Sequence, residues 1–246
     1  LVGCVAVSMS QVMHYWKYPA FGSGSNSYYH WDYGNISANF NTLYDFDDMS
    51  NNVGNAASQK LLYHAGVAVE MGYGADASGA WVVGGNPSAY YALKNNFLYK
   101  TDMSYIYPYQ YTDSQYRQIL KDELDSNRPI IYRGYSSDGG HAWNVDGYQD
   151  DEFHCNWGWV GSSNGYFNLT SMGGFPEDQA VIIGILPQMD DPMALFEYGV
   201  DGLTVTFMDL SEIINEIELD TWLWNFGDGS TSFSSAPLHT YSQGGS

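Results

Sequence analysis

The chain has 246 residues, 44% of them hydrophobic and 17% aromatic, enough to bury a substantial core and too apolar for a disordered tail. Eight Lys and Arg stand against 28 Asp and Glu, a formal net charge of −20, whose field repels nucleic acid and anionic membrane and favours solubility. No stretch approaches the ~20 apolar residues of a membrane span, and Cys4 and Cys155 are too few to imply a disulfide framework. Scarce Lys beside abundant Tyr, Asn, Ser and Gly suits a secreted or cell-surface protein.

In chain order, Val5, Met9, Val12, Met13 and Trp16 recur at helical spacing, so residues 5–16 read as a helix that Pro19 ends. Residues 20–55 are rich in Asn, Ser, Gly and Tyr without long apolar runs and read as loop. "NAASQKLLYHAGVAVEMGYG" restarts a helix that closes at Gly72 and Gly74. "SAYYALKNNF" and "DSQYRQILKDELDSN" are two more helices, the second capped by Thr112 or Asp113. After Pro129 the pattern changes to strands: "PIIYRGY", "HAWNVDGYQ", "EFHCNWGW", "GYFNL" and "AVIIGIL". Helices followed by strands predict an α+β domain with a largely antiparallel sheet. "PQMDDP" reads as a linker, and beyond it "LTVTFMD", "DTWLWNFGDGS" and "PLHTYS" suit a small β-sandwich. The expected organisation is therefore a domain over residues 1–187, a linker over 188–192 and a module over 193–246.

Cys4 sits where a helix begins, and unsatisfied N–H groups with the positive dipole end favour a thiolate. A small buried apolar cysteine fits the same position. Six histidines offer a base. His14 is ~15 Å along the same helix and cannot reach. His64 falls within a helix, His239 in the C-terminal segment, and His30 in a loop with nothing to orient its ring. His141 follows Ser-Ser-Asp-Gly-Gly, where small residues admit a substrate backbone. Asn156, on the next strand of a hairpin, could accept from that imidazole, with Trp157 covering the bond. Cys4, His141 and Asn156 stand in the order and at the ~130–150-residue separation of papain-like enzymes. Gln11 points away from the first turn and is no oxyanion donor. Cys155 reads as a buried apolar residue, and both thiols are expected to be free. Neither zinc spacing nor a glycine-rich phosphate loop occurs, so no metal or cofactor is expected.

"GCVAVSMSQVMHYWKYP" and "GGHAWNVDGYQDDEFHCNWGWVGSSNGYFNL" resemble the nucleophile and histidine segments of the streptopain family of bacterial cysteine peptidases. "VAVEMGYGADASGA" resembles that family's intervening helix end and glycine-rich cleft loop. The likeness runs from residue 1 to about 187. It implies a two-lobed papain-like fold, a helical lobe carrying Cys4 and an antiparallel sheet lobe carrying His141. By the same resemblance Cys4 is the nucleophile and His141 the general base and acid. Asn156 and Trp157 support the histidine, while Ser78 and Gly140 line the cleft beside a bound peptide. The family also places an oxyanion-hole glutamine a few residues before the cysteine and carries an inhibitory prosegment. Only Leu1, Val2 and Gly3 precede Cys4 here, so the expectation is a fragment of a longer secreted zymogen acting on polypeptides.

"WLWNFGDGSTSFSSAPLHTYSQGG" resembles the signature of the PKD repeat, an immunoglobulin-like module of secreted bacterial enzymes. Its Asp228-Gly229 pair reads as a tight turn and not a calcium site, which needs six to eight oxygens. The rival readings are a catalytically inactive peptide-binding protein on the same fold and a cell-surface adhesion or glycan-binding protein.

Overall fold

Helix α1 (Cys4–Trp16) buries Val5, Met9, Val12 and Met13, with Trp16 packed partly buried against the same core. Its end is set by Lys17, whose left-handed backbone turns its N–H to the carbonyls of His14 and Met13. The computed structural model describes residues 2–50, 54–188, 195–211 and 221–244. They divide into two compact units, Leu1–Gln188 and Met189–Ser246. Apart from Gln188, the expected linker lies outside the described residues.

Within residues 20–55 the loop expectation is corrected: β1 (Ser25–His30) and β2 (Gly34–Asn39) form an antiparallel hairpin. Its inner face rests on Tyr28 paired with Ile36, and on Ala38. Three such residues among Asn and Ser give too weak an alternation to stand out in the sequence. His30 also differs from expectation. It is buried at the end of β1, its Nδ1 accepts the Asp32 N–H at 3.1 Å, and Trp31 stacks on its ring at 4.3 Å.

Helix α2 (Ala56–Ala68) starts from a capping box between Asn55 and Ser58, an arrangement worth about 1 kcal/mol. It stops short of the predicted Gly72 because Glu70 adopts φ 50°. Ser88 caps α3 (Ala89–Asn95), and the short strand β3 (Ser104–Ile106) follows. Thr112, and not Asp113, caps α4 (Asp113–Asp125): its hydroxyl accepts the Gln115 N–H while Gln115 reaches back to the Thr112 N–H.

The strand region forms β4 (Ile130–Ser136), β5 (Gly139–Gln149), β6 (Glu152–Asn156), β7 (Gly165–Phe167) and β8 (Glu177–Ile183). With β3 they make a six-stranded antiparallel sheet in the order β3-β8-β4-β5-β6-β7. The sheet is covered on both faces, so Ile130, Ile131 and Tyr132 of β4 are all buried but alternate between two cores. Ile131, Ala142 and Ile182 join the core of α1, α2 and α3. Ile130, Tyr132, Trp143 and Val145 join a second core with Tyr116 and Leu120 of α4. One core lies on each face of this antiparallel sheet and α1 is laid against β5, an α+β architecture.

The second unit contains β9 (Phe196–Asp201), β10 (Thr204–Asp209), β11 (Trp224–Asn225), β12 (Thr231–Ser232) and β13 (Leu238–Thr240). They form a three-stranded sheet, β13-β10-β9, and a two-stranded one, β11-β12. Phe207 lies against Phe196, Trp224 and Phe226, and His239 stacks on Phe226 at 4.2 Å while its Nε2 meets Asp228 at 2.8 Å.

Candidate active site

Cys4 opens α1 and is half-buried. Its residue of entry, Gly3, has φ +90°, and a Cβ there would lie 2.6 Å from the Met71 sulfur and 3.2 Å from the Ser78 Cβ. Only glycine lets the chain turn into the helix at this point. The thiol is met by the main chain of Ala142 on β5 and by that of Val5 and Cys4 itself. Burial pushes the thiol above its ordinary value, and these backbone hydrogen bonds pull it the other way. The nucleophile candidate therefore rests against the strand that carries His141, one residue from it.

His141 sits on β5 opposite Gly134 of β4 and is also half-buried. Its Nε2 lies 3.0 Å from the Trp157 carbonyl oxygen. A carbonyl only accepts, so Nε2 carries the hydrogen and Nδ1 is left as the free base. Burial lowers the imidazole below its usual value, and the bond to Trp157 offsets part of that. The ring lies in an aromatic wall, 6.0 Å from Trp157, 4.9 Å from Trp159 and 5.3 Å from Phe175.

The expected role of Asn156 is corrected by this geometry. Its Oδ1 accepts the Gly158 N–H at 3.1 Å and faces Gln11 Nε2 at 3.3 Å, while the imidazole is held by the next residue's carbonyl. The reason is that β6 ends at Asn156: its amide closes the turn into Trp157-Gly158, and the turn swings a main-chain oxygen onto the ring. Trp157 is buried, and its indole stacks beside His141. Gln11 is no donor at the first turn. It joins α1 to the sheet, accepting from Asn144 Nδ2 at 2.8 Å.

Ser78 lies beside Gly3, next to Cys4, and its hydroxyl accepts the Gly74 N–H at 3.2 Å. Gly140 precedes His141 on β5, and a Cβ there would press the Tyr135 ring at 2.6 Å. Cys155 is fully buried, its thiol pushed up to about 12 by that burial, and both cysteines are free. Among the described residues no three His, Cys, Asp or Glu side chains gather to hold a metal, and no helix is long and apolar enough to cross a membrane. Sequence reasoning missed Gln11 as a tie and Trp159 as part of the histidine's wall. The signals were present: Cys4, Ser8 and Gln11 recur at i, i+4 and i+7, a polar stripe on an otherwise apolar helix, and Trp159 ends "NWGW".

Residues 1–167 match the Peptidase C10 family. The chain belongs to this family. It is 30% identical to streptopain of Streptococcus pyogenes over 212 residues, covering 75% of this chain and 52% of that one. It is likewise 30% identical to the thiol protease/hemagglutinin PrtT of Porphyromonas gingivalis, over 89% of this chain and 27% of that protein. The chain thus spans about half the length of streptopain and about a quarter of PrtT. Among solved structures, the active interpain A cysteine protease of Prevotella intermedia superposes with a TM-score of 0.67 at 36% identity. That match covers 75% of this chain and 83% of interpain A. A prointerpain A fragment matches with a TM-score of 0.65 at 35% identity.

Proposed function

We propose that this C10-family chain is a secreted cysteine endopeptidase. The observation that carries the reading is the Cys4 thiol at the head of α1, against the strand position next to His141, whose Nε2 is engaged by a carbonyl. Nδ1 of His141 takes the proton of Cys4, and the sulfur attacks the carbonyl carbon of a peptide. The Cys4 N–H donates to the resulting oxyanion. The amine leaves with the proton from His141, and water hydrolyses the thioester, with His141 again as base. Burial disfavours a charged sulfur and a charged ring alike, so the pair rests as thiol and neutral imidazole and the proton passes to Nδ1 as the sulfur attacks.

Ser78 and Gly140 contact the bound peptide, Ser78 from beside Gly3 and Gly140 from beside His141. The second unit is a PKD-like module in which Asp228-Gly229 makes a turn closed by His239. A prosegment of the whole protein holds the enzyme as a zymogen, in keeping with the prointerpain A fragment among its structural neighbours. The test is casein hydrolysis by the chain and two variants. Cys4→Ala should lose activity by at least about 10⁴-fold, and Cys155→Ala should retain it. Hydrolysis surviving Cys4→Ala contradicts the reading.

A further inference from the structure

A cavity of about 420 Å³ opens beside His141, and Cys4 is not among the residues that line it. Its walls are His141, Gly140, the indole of Trp159, Phe175 and Gly174, and Asp138 in the β4–β5 turn stands at its rim. Trp159 is 45% exposed although its ring lies 4.9 Å from the imidazole, so a large aromatic face is left open to the cavity. Gly139 and Gly174 take φ +123° and +107°, and a Cβ on either would meet nothing within 4 Å. Absent side chains at these two places leave the mouth unobstructed. Asp138 is the one carboxylate among the described lining residues, and no cationic side chain lines the cavity with it.

The chemistry says which part of a substrate falls here. In thiol peptidase action the acyl half stays on sulfur, and the amine half takes its proton from the histidine. The residue after the cut bond must therefore pass on the histidine's side. We propose that this cavity is the subsite for that residue and that it selects Lys or Arg, the alkyl stem lying on Trp159 and Phe175 and the cation meeting Asp138. An indole is the best ring for a cation or its stem, and a long basic side chain combines an apolar body with a charged tip. The overall charge of −20 adds long-range attraction for the same substrates.

This inference rests on the peptidase reading and names the substrate preference of the same site. The experiment takes one peptide that the full chain cuts in a casein digest and resynthesises it with Lys, Ala or Glu after the cut bond. The readout is the ratio of kcat/KM between peptides within one enzyme. The Lys peptide should be preferred to the Ala peptide by about three- to five-fold, the scale of an exposed ion pair, and to the Glu peptide by more. Asp138→Asn should bring the Lys-to-Ala ratio near one, and Asp138→Lys should invert the order toward Glu. A ratio near one in the parent, or ratios unchanged in both variants, overturns the subsite. Failure of the parent to cut casein at all overturns the peptidase reading and the subsite with it.

Discussion

Nε2 of His141 is held at 3.0 Å by the main-chain carbonyl of Trp157, so the imidazole is oriented by backbone and not by a side-chain amide. The carbonyl is positioned in turn by Asn156, whose Oδ1 takes the Gly158 N–H and faces Gln11. Asn156→Ala and Gln11→Ala should each lower kcat, by about tenfold, through loss of this support. Because they act on one network, the double variant should lose less than the product of the two, a coupling of about 0.5–3 kcal/mol. Strictly multiplicative losses would mean that the two side chains act separately.

The pH dependence of Cys4 alkylation reports the same pair. Burial raises the thiol, so without a base its sulfur ionises only above the ordinary thiol value. His141 supplies that base in the parent, and burial lowers its own value, which keeps Nδ1 unprotonated at neutral pH. Iodoacetamide should therefore modify Cys4 in the parent at neutral pH, while His141→Ala shifts the profile to alkaline pH. Superimposable profiles for parent and variant would sink this account of activation.

Gly173 tests the aromatic wall. Its φ is +60°, and a Cβ would lie 2.3 and 2.5 Å from two atoms of the Trp157 indole. A buried ring cannot yield as the end of a flexible chain can, so Gly173→Ala should cost about 1–3 kcal/mol of stability. Urea denaturation followed by tryptophan fluorescence measures it. A loss under about 0.5 kcal/mol would show that the indole has room to move.

In the second unit, Asp228 accepts from the Ser230 hydroxyl, the Ser230 N–H and His239, which together hold its carboxyl down to about 2. A carboxyl depressed on folding stabilises above its unfolded value, ~3.9, and that contribution is lost as pH falls toward 2. The Trp224 indole N–H signal should accordingly keep its native position to about pH 4 and lose it between pH 4 and 2. Asp228→Asn should remove the step. An unchanged step in the variant would assign the acid response to other groups.

How much of this could be read beforehand differs by element. The stripe of Val5, Met9, Val12 and Met13 announced α1 because one apolar face at helical spacing has few alternatives. The hairpin of β1 and β2 stayed hidden because its buried face consists of isolated Tyr28, Ile36 and Ala38 among polar residues. Cys4 and His141 were legible as chemistry-bearing side chains in the right order. Trp157's function as an acceptor was not, since every residue has a carbonyl and only the turn after Asn156 decides which one faces the ring. His30 was misread for a related reason. Its neighbours in sequence are polar or aromatic, and only the hairpin's return folds Trp31 over the imidazole.

The central claim is that the sulfur of Cys4 and the imidazole of His141 share one cleft, and a bifunctional alkylator tests it most directly. 1,3-Dibromoacetone carries two reactive carbons on either side of one carbonyl, so after the thiol displaces the first bromide only a group close by can displace the second. Mass spectrometry of the digested product should show the peptide of Cys4 joined to the peptide of His141 through a three-carbon bridge. A product alkylated at Cys4 alone with the second arm hydrolysed, or bridged to any other residue, would contradict the account.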